Sequence, residues 1–475
     1  MIPECLAPVA AQQGFWYTHA MHPPNPKGYP EAPPASTPGW PADPAVELHE
    51  SRNLALLALH QIVFRIGWIF KTESVIIPAF LDLLAGPSSG MLRGLLPVMN
   101  RFGQSVPPAL FAGWLRNRQL KKRALAGFVM AMSLPFAAMA VACFVVGVCQ
   151  WTGVLWWFLG LYALFFVFNG LYHLAFGTVQ GKLIRPWRRG RLLLISTFYG
   201  ALPAMLMAWW LLPGWLRMPE AGFAWIFSFA AACFFLSGLT VLALFEPRDE
   251  ANSQLPEARR ANVSEIAHVL RHDGNLRRLT VVAMLFGSGL IVFPHYQALA
   301  LGPMELPMEM LMLFAITQNA SVGIFSLFLG PIADRWGNRA ALFLVVLGSA
   351  IAPTLAVVLS QLPVGVGEGA YWLVYVPLGI TPLALRILVN YTLEICVPHQ
   401  HPCYLATVNL CLAVPFVFAP LVGFMIDMES IGFQVVFSVA AVLVALGAIL
   451  TLTLEEPRSR WIDGELGAIG TGGEE

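Results

Sequence analysis

Apolar residues gather into runs near 54–84, 91–114, 124–148, 154–181, 191–212 and 222–245, and again, after a long polar interval, near 279–300, 307–333, 340–361, 370–395, 403–426 and 434–454. A helix needs roughly 20 apolar residues to cross the hydrocarbon core of a bilayer. Charges are costly at that depth, so the polar breaks mark loops. The pattern predicts an all-α membrane protein of twelve transmembrane helices. The interval from Glu246 to Arg278 divides them six and six. Within it, Asn262-Val-Ser-Glu265 has capping-box spacing. Val263, Ile266, Ala267 and Leu270 follow at helical spacing, which predicts a short amphipathic helix on the membrane surface, either a tether or a regulatory element.

The expected organisation is a Pro-rich tail over 1–48, a six-helix bundle over 49–245, a linker over 246–278, a second bundle over 279–456 and a tail over 457–475. The first tail holds too little apolar surface to fold alone and is expected to be extended. No basic segment followed by an apolar core opens the chain, so no cleaved signal peptide is expected.

Lys and Arg set the direction of the spans. Arg116, Arg118, Lys121, Lys122 and Arg123 fill one loop, and Lys182, Arg185, Arg188, Arg189 and Arg191 another. The central interval adds Arg248, Arg259, Arg260, Arg271, Arg277 and Arg278, and the eighth-to-ninth loop adds Arg335 and Arg339. The alternate loops hold almost none, Arg217 being the exception. Basic loops stay cytoplasmic. Both termini are therefore expected in the cytoplasm of a multi-pass protein of the cell (inner) membrane, which requires an even number of spans.

Composition agrees, with 57% hydrophobic and 12% charged residues, where a soluble domain carries about 25% charged. The net charge of +1 is distributed by loop and offers no nucleic-acid surface. The implied partners are membrane lipids, a small-molecule substrate and a coupling proton or cation. Cys5, Cys143, Cys149, Cys233, Cys396, Cys403 and Cys411 form no CxxC pair and mostly lie in apolar runs. They read as small core hydrophobes, and neither a metal site nor a cofactor is expected.

The two halves repeat. The sixth span ends Leu244-Phe-Glu246-Pro247-Arg248 and the twelfth Leu454-Glu-Glu456-Pro457-Arg458; the second ends Gly113-Trp-Leu-Arg-Asn117-Arg118 and the eighth Gly330-Pro-Ile-Ala-Asp334-Arg335. Parallel repeats of six helices are a known transporter design. The segment Gly330-Pro-Ile-Ala-Asp334-Arg335-Trp-Gly337-Asn-Arg339 resembles the cytoplasmic loop signature of the major facilitator superfamily, roughly G-x-x-x-D-R-x-G-R-[RK]. The resemblance implies that family's fold of two six-helix bundles, a cavity lined by the first, fourth, seventh and tenth spans, and a cytoplasmic gate built from this cluster. Gly330 and Gly337 permit a tight turn, Asp334 can sit at a helix N-terminus and Arg335 can bind carboxylates or carbonyls. Pseudo-symmetry places Asp334 opposite Arg189 and Arg191 at the start of the fifth span. The first-half copy departs from the pattern: Asn117 replaces the acid beside Arg118, Leu120 replaces the second Gly, and the facing segment His399-Gln-His401-Pro-Cys-Tyr404 lacks Lys and Arg.

Ionisable residues inside the membrane mark functional sites by default. The first span carries His60, Arg65, Lys71, Thr72 and Glu73. On an unbroken helix Lys71 and Glu73 point apart, so they are not expected to neutralise each other, and Arg101 of the second span, beside Asn100 and Gln104, is the expected partner of Glu73. That partnership is either a structural ion pair or part of a coupling or substrate site; the third reading has Lys71 and Glu73 snorkelling to the outer interface. The tenth span sets Arg386, Asn390 and Glu394 along one stripe. Arg386 is the foremost candidate for substrate contact because its planar fork fits an anionic oxygen pair; the competing reading is a latch to Glu394 or another helix. Asn169, Tyr172, His173, Thr178 and Gln180 on the fourth span, and His295, Tyr296 and Gln297 after Pro294 on the seventh, are candidate cavity walls. Each His is otherwise a packing residue. Gln318 and Asn319 read as helix-packing residues.

The candidate substrate residues are therefore Arg65, Arg101, Asn169, His173, His295, Tyr296, Arg386 and Asn390, with Glu73, His173 and His295 for proton coupling. No P-loop or HExxH motif points to an ATP-driven pump or an enzyme. The fifth span, reading STFYGALPAMLM, lacks the Gly-Pro-rich pattern of the family's drug antiporters. Arg65, Lys71, Arg101 and Arg386 outnumber Glu73 at membrane depth, so the expected activity is coupled transport of a small anionic or zwitterionic solute. The alternative is a non-transporting sensor, assembly factor, or lipid- or pigment-handling protein on the same scaffold.

Overall fold

The computed structural model describes residues 44–86, 88–145, 153–185, 188–189, 191–192, 195–218, 221–248, 263–363, 365–396 and 400–456. Ten helices among them are long and apolar enough to cross a membrane: Lys121–Val145, Val154–Leu183, Ile195–Leu216, Ala221–Leu242, Gly274–Leu301, Met310–Ala333, Arg335–Ser360, Val366–Glu394, Cys403–Asp427 and Gly432–Thr451. Two more polar spans precede them and complete twelve. The first is built from Pro44–Ile69 and Ile76–Ala85, and the second is Gly90–Arg116. The first helix opens at Pro44, inside the segment expected to be an extended tail; proline's fixed φ suits a first helical turn. The second half of the linker forms the expected short helix, Val263–His272, whereas Asn262 of the capping box lies outside the described residues. Asp273 caps the seventh span instead, accepting from the Leu276 N–H at 2.9 Å.

The first and seventh spans, which occupy equivalent places in the two halves, are both broken. In the first, the helix stops at Ile69, Thr72 Oγ1 donates to the Ile69 carbonyl at 2.6 Å, and the helix resumes at Ile76. In the seventh, a 3-10 turn at Phe293–His295 separates Gly274–Leu290 from Tyr296–Leu301, where Pro294 cannot donate to the ladder. Irregular backbone at membrane depth persists only where protein or a cavity shelters it. Between the eighth and ninth spans the turn falls at Gly337 (φ 87°, ψ 161°), a left-handed conformation that favours glycine. Gly330 remains helical beside open space, so only one of the two signature glycines makes the turn.

The repeated sequence motifs have repeated structural work. Asn53 of the first span donates to the Phe245 carbonyl and accepts from the Phe245 N–H, both at 2.9 Å. In the second half Asn275 accepts from the Glu455 N–H at 3.0 Å. Glu246 accepts from the N–H groups of Lys121 and Lys122 at the start of the third span and pairs with Lys182 at 3.0 Å. Its counterpart Glu456 lies against Gly337 and Arg339 at the start of the ninth. Each half is thus closed on its basic face by an acid that follows its last span.

Across the seam, the second span packs on the eleventh and the fifth on the eighth. A Cβ on Gly423 would stand 1.9 Å from the Gly90 carbonyl oxygen, so these backbones touch as in small-residue membrane packing. The outer surface exposes Val145, Trp209, Trp210 and Val417, as a lipid-facing perimeter requires.

Candidate functional site

Sequence spacing put Lys71 and Glu73 on different faces, but the break at Ile69 removes the helical register that separated them. Lys71 Nζ reaches Glu73 Oε1 at 2.6 Å and stands 3.1 Å from the Trp68 ring centroid. Lys71 is fully buried and does not snorkel. Glu73 accepts through its other oxygen from Asn100, not from Arg101. Arg101 instead lies over the Phe416 ring, 5.2 Å from its centroid, a cation–π contact with the eleventh span.

Without Arg101's charge committed to Glu73, three arginines stand at membrane depth: Arg65 and Arg101 from the first half and Arg386 from the second. None is paired with a carboxylate among the described residues, and Arg65 Nε is buried without a hydrogen-bond partner. Arg386 acts electrostatically on Arg65, and both Arg386 and Lys71 act on His173. Arg65, Lys71, His173 and Arg386 therefore form one region spanning both halves. Arg65, Arg101, His173, Arg386 and Asn390 are each half-buried, so an incoming solute has surface to touch. Gln61 donates to the Tyr172 hydroxyl at 2.6 Å and fixes the fourth span beside Arg65. Glu394, the alternative latch for Arg386, accepts from Asn338 at 2.7 Å.

Other candidates lie elsewhere or serve packing. Asn169 is fully buried with both amide atoms unpartnered among the described residues. His60 is held by Ser237 at 2.7 Å. Thr178 donates to the Leu174 carbonyl and Asn319 to the Ala315 carbonyl, within their own helices, while Gln318 accepts from Ser74 across the seam at 2.6 Å. Tyr296 is buried against Phe437, ring centroids 4.8 Å apart. His295 and Gln297 join a second cluster, on the face opposite the basic loops.

Sequence reasoning missed the centre of that cluster. Arg93 of the second span bonds Asp82 Oδ1 at 2.5 Å, His295 Nδ1 at 3.3 Å and Asp427 Oδ1 at 3.4 Å. Gln297 donates to Asp82 Oδ2 at 2.8 Å, Ser89 donates to Asp82 Oδ1 at 2.6 Å, and the Gly90 N–H donates to Asp427 Oδ2 at 2.7 Å. Asp427 so caps the second span from the opposite half. The available signal was simple: Asp82 and Arg93 lie inside apolar runs, and Asp427 stands one residue beyond another.

On the basic face, Arg189 donates to the Gly181 and Ile184 carbonyls, and Arg191 is exposed. The Asp334 side chain lies outside the described residues. Arg335 is exposed, and Arg339 bonds the Leu454 carbonyl at 3.1 Å and lies 3.6 Å from Glu456. Asn117 ends the second span, and Arg118 covers the Trp114 ring at 4.3 Å. A polar cleft of about 480 Å³ opens beneath the linker helix, lined by residues including His268, His272, Arg278 and Tyr404; none of the candidate substrate residues lines it.

Residues 308–471 match the model of the Major Facilitator Superfamily. No curated protein matches the chain. Among solved structures, the chain is similar to the xylose transporter XylE from E. coli in an inward open conformation (TM-score 0.63, 15% identity, covering 85% of this chain and 96% of that one). It is similar also to a bacterial homologue of the iron transporter ferroportin in an inward-facing state (TM-score 0.60, 11% identity, 85% and 98% covered). A third likeness is to the nucleoside transporter NupG (TM-score 0.57, 14% identity, 84% and 98% covered).

Proposed function

We propose that this chain, a multi-pass membrane protein with the fold of the Major Facilitator Superfamily and a second half that matches that family's model, is a secondary active transporter of a small organic anion or zwitterion. The observation that carries the reading is the set of Arg65, Arg101 and Arg386, contributed by both halves and unmatched by carboxylates among the described residues. Uncompensated charge at membrane depth is expensive, and an anionic solute would relieve that cost by bringing the missing charge. Arg386 offers a planar fork to a carboxylate, and Arg65 adds a second cation from the other half. Asn390 and His173 supply neutral contacts beside them.

Alternating access follows from a site shared by two bundles: the solute binds while one face is open, and the halves rock to expose the other. Sealing of the far face by Gly90, Gly423 and the Arg93 cluster fits a conformation open toward the basic face; XylE and the ferroportin homologue were captured inward open and inward facing. Basic loops and an even span number support a cytoplasmic position for that face and both termini. The Gly337 turn, with Asp334 and Arg189, would gate it. Coupling to a proton or ion supplies the driving force, with the Lys71–Glu73 pair beside the site as a group whose charge can change.

Thermal unfolding of the detergent-purified protein with small carboxylates, sugars, amines and lipophilic drugs tests the reading, since a ligand held only by the folded state raises its stability. Carboxylates are expected to stabilise the wild type and not Arg386→Ala, and the same carboxylates to enter proteoliposomes. If only lipophilic compounds stabilise both proteins equally, the anion site is wrong and a hydrophobic cargo takes its place.

A further inference from the structure

The cluster around Arg93 joins the halves with an uneven charge count. Asp82 and Arg93 belong to the first half, His295, Gln297 and Asp427 to the second. Arg93 is 1% exposed and His295 fully buried, while the Asp82 and Asp427 side chains each keep 18% exposure at the far edge. Because His295 Nδ1 accepts from Arg93 Nε, its ring proton is on Nε2 and the imidazole is neutral. One cation therefore serves two carboxylates.

Parting the halves divides these groups unequally. Asp82 and Arg93 leave together as a balanced pair. Asp427 and His295 remain on the other side, and Asp427 loses both its counter-ion and the Gly90 N–H that it caps. A proton on His295 Nδ1, freed from Arg93, restores neutrality there. The same proton has no place on Nδ1 in the closed cluster, where that nitrogen already accepts from the Arg93 guanidinium. The elements packed against His295 present Arg93 from the second span and Asp82 from the distal half of the first, with Asp427 reached through Arg93.

We infer that His295, Arg93, Asp82 and Asp427 form a proton-operated latch, in which far-face opening is accompanied by uptake of one proton from that face onto His295 Nδ1. Proton binding and opening then favour each other reciprocally. The inference rests on the alternating-access reading but is independent of the solute, since no group in the latch belongs to the arginine site. Acid opens the far face, and opening loads the carrier with the coupling proton.

The test is the distance between spin labels on Ser88→Cys and Glu429→Cys, one on each half at the far face, in substrate-free nanodiscs with the native cysteines replaced. Between about pH 8 and about pH 5, the range in which an ordinary histidine changes charge, the wild-type latch should shift toward longer separations. His295→Gln, whose carbonyl can still accept from Arg93, should stay short across that range. Asp427→Asn, which removes one of the bonds closing the seam, should lengthen the distance at every pH. An unchanged pH response in His295→Gln overturns the role of His295. A wild type indifferent to acid, with Asp427→Asn open, overturns proton operation while leaving alternating access intact. Distances fixed in every variant at every pH overturn the latch together with the rocking motion beneath it.

Discussion

Arg93 and Arg386 are both arginines held between the halves, and their surroundings are opposites. Arg93, at the far face, is met by two carboxylates, a hydroxyl and an imidazole drawn from both bundles. Arg386, deeper in the seam, meets no carboxylate among the described residues and has Arg65 as its charged neighbour. The same side chain closes a seam where its partners are built in and leaves the proposed binding site where they are withheld. Breaking a satisfied buried pair costs much, whereas removing an uncompensated charge relieves strain. That asymmetry separates gate from site more sharply than burial does, because Arg93 is buried and Arg386 only half so.

The largest expected effect follows directly. Arg93→Ala strands Asp82 and Asp427 and should cost about 3–5 kcal/mol of stability, read as a lowered unfolding midpoint in detergent. Arg386→Ala should leave the ligand-free midpoint unchanged or raise it; an equal loss in both variants would erase the contrast. Next in size, Gly423→Ala drives a methyl group into the Gly90 carbonyl and should cost about 1–3 kcal/mol. It should also lengthen the distance between labels on Ser88→Cys and Glu429→Cys by spreading the second and eleventh spans. A distance unchanged from wild type would show that the far seal does not depend on that approach.

The smallest effect separates two responses to acid. On the basic face, Glu50 pairs with Arg185 at 2.7 Å and Arg188 at 3.1 Å. Burial pushes its carboxyl up, but the hydrogen bonds and charge of Arg185, with the charge of Arg188, outweigh burial and hold it below its ordinary value. A lowered carboxyl stabilises the fold above the ordinary range, and that contribution is lost as pH falls through the lowered value. Glu50→Gln should therefore flatten only the loss of stability below about pH 4.3. It should leave the far-face distance change at higher pH untouched, and any change there would mean that the two faces share one titration.

Much of the fold was legible because a bilayer tolerates few solutions. Run length and the repeated Glu-Pro-Arg endings specified helices and a two-fold plan before any packing was known, and Glu246 and Glu456 prove to clamp equivalent helix starts. Gly337 was readable as a turn residue since its φ of 87° is one that other side chains resist. The pile-up of cations on the first, second and tenth spans was also visible.

Partnership was not legible. Lys71 and Glu73 looked separated because helical spacing was extended through a helix that stops at Ile69, and Arg101 looked like an ion-pair partner until Phe416 of a remote span covered it. Asp82, Arg93 and Asp427 come together over more than three hundred residues of chain, and no local pattern encodes that meeting. The sequence by itself determined which segments lie in lipid and that the halves repeat, because hydrophobic burial acts locally along the chain. Only the tertiary structure decided which buried charges neutralise one another and which meet no carboxylate among the described residues, because electrostatic pairing depends on distances in space that a broken helix or a remote aromatic ring can reset.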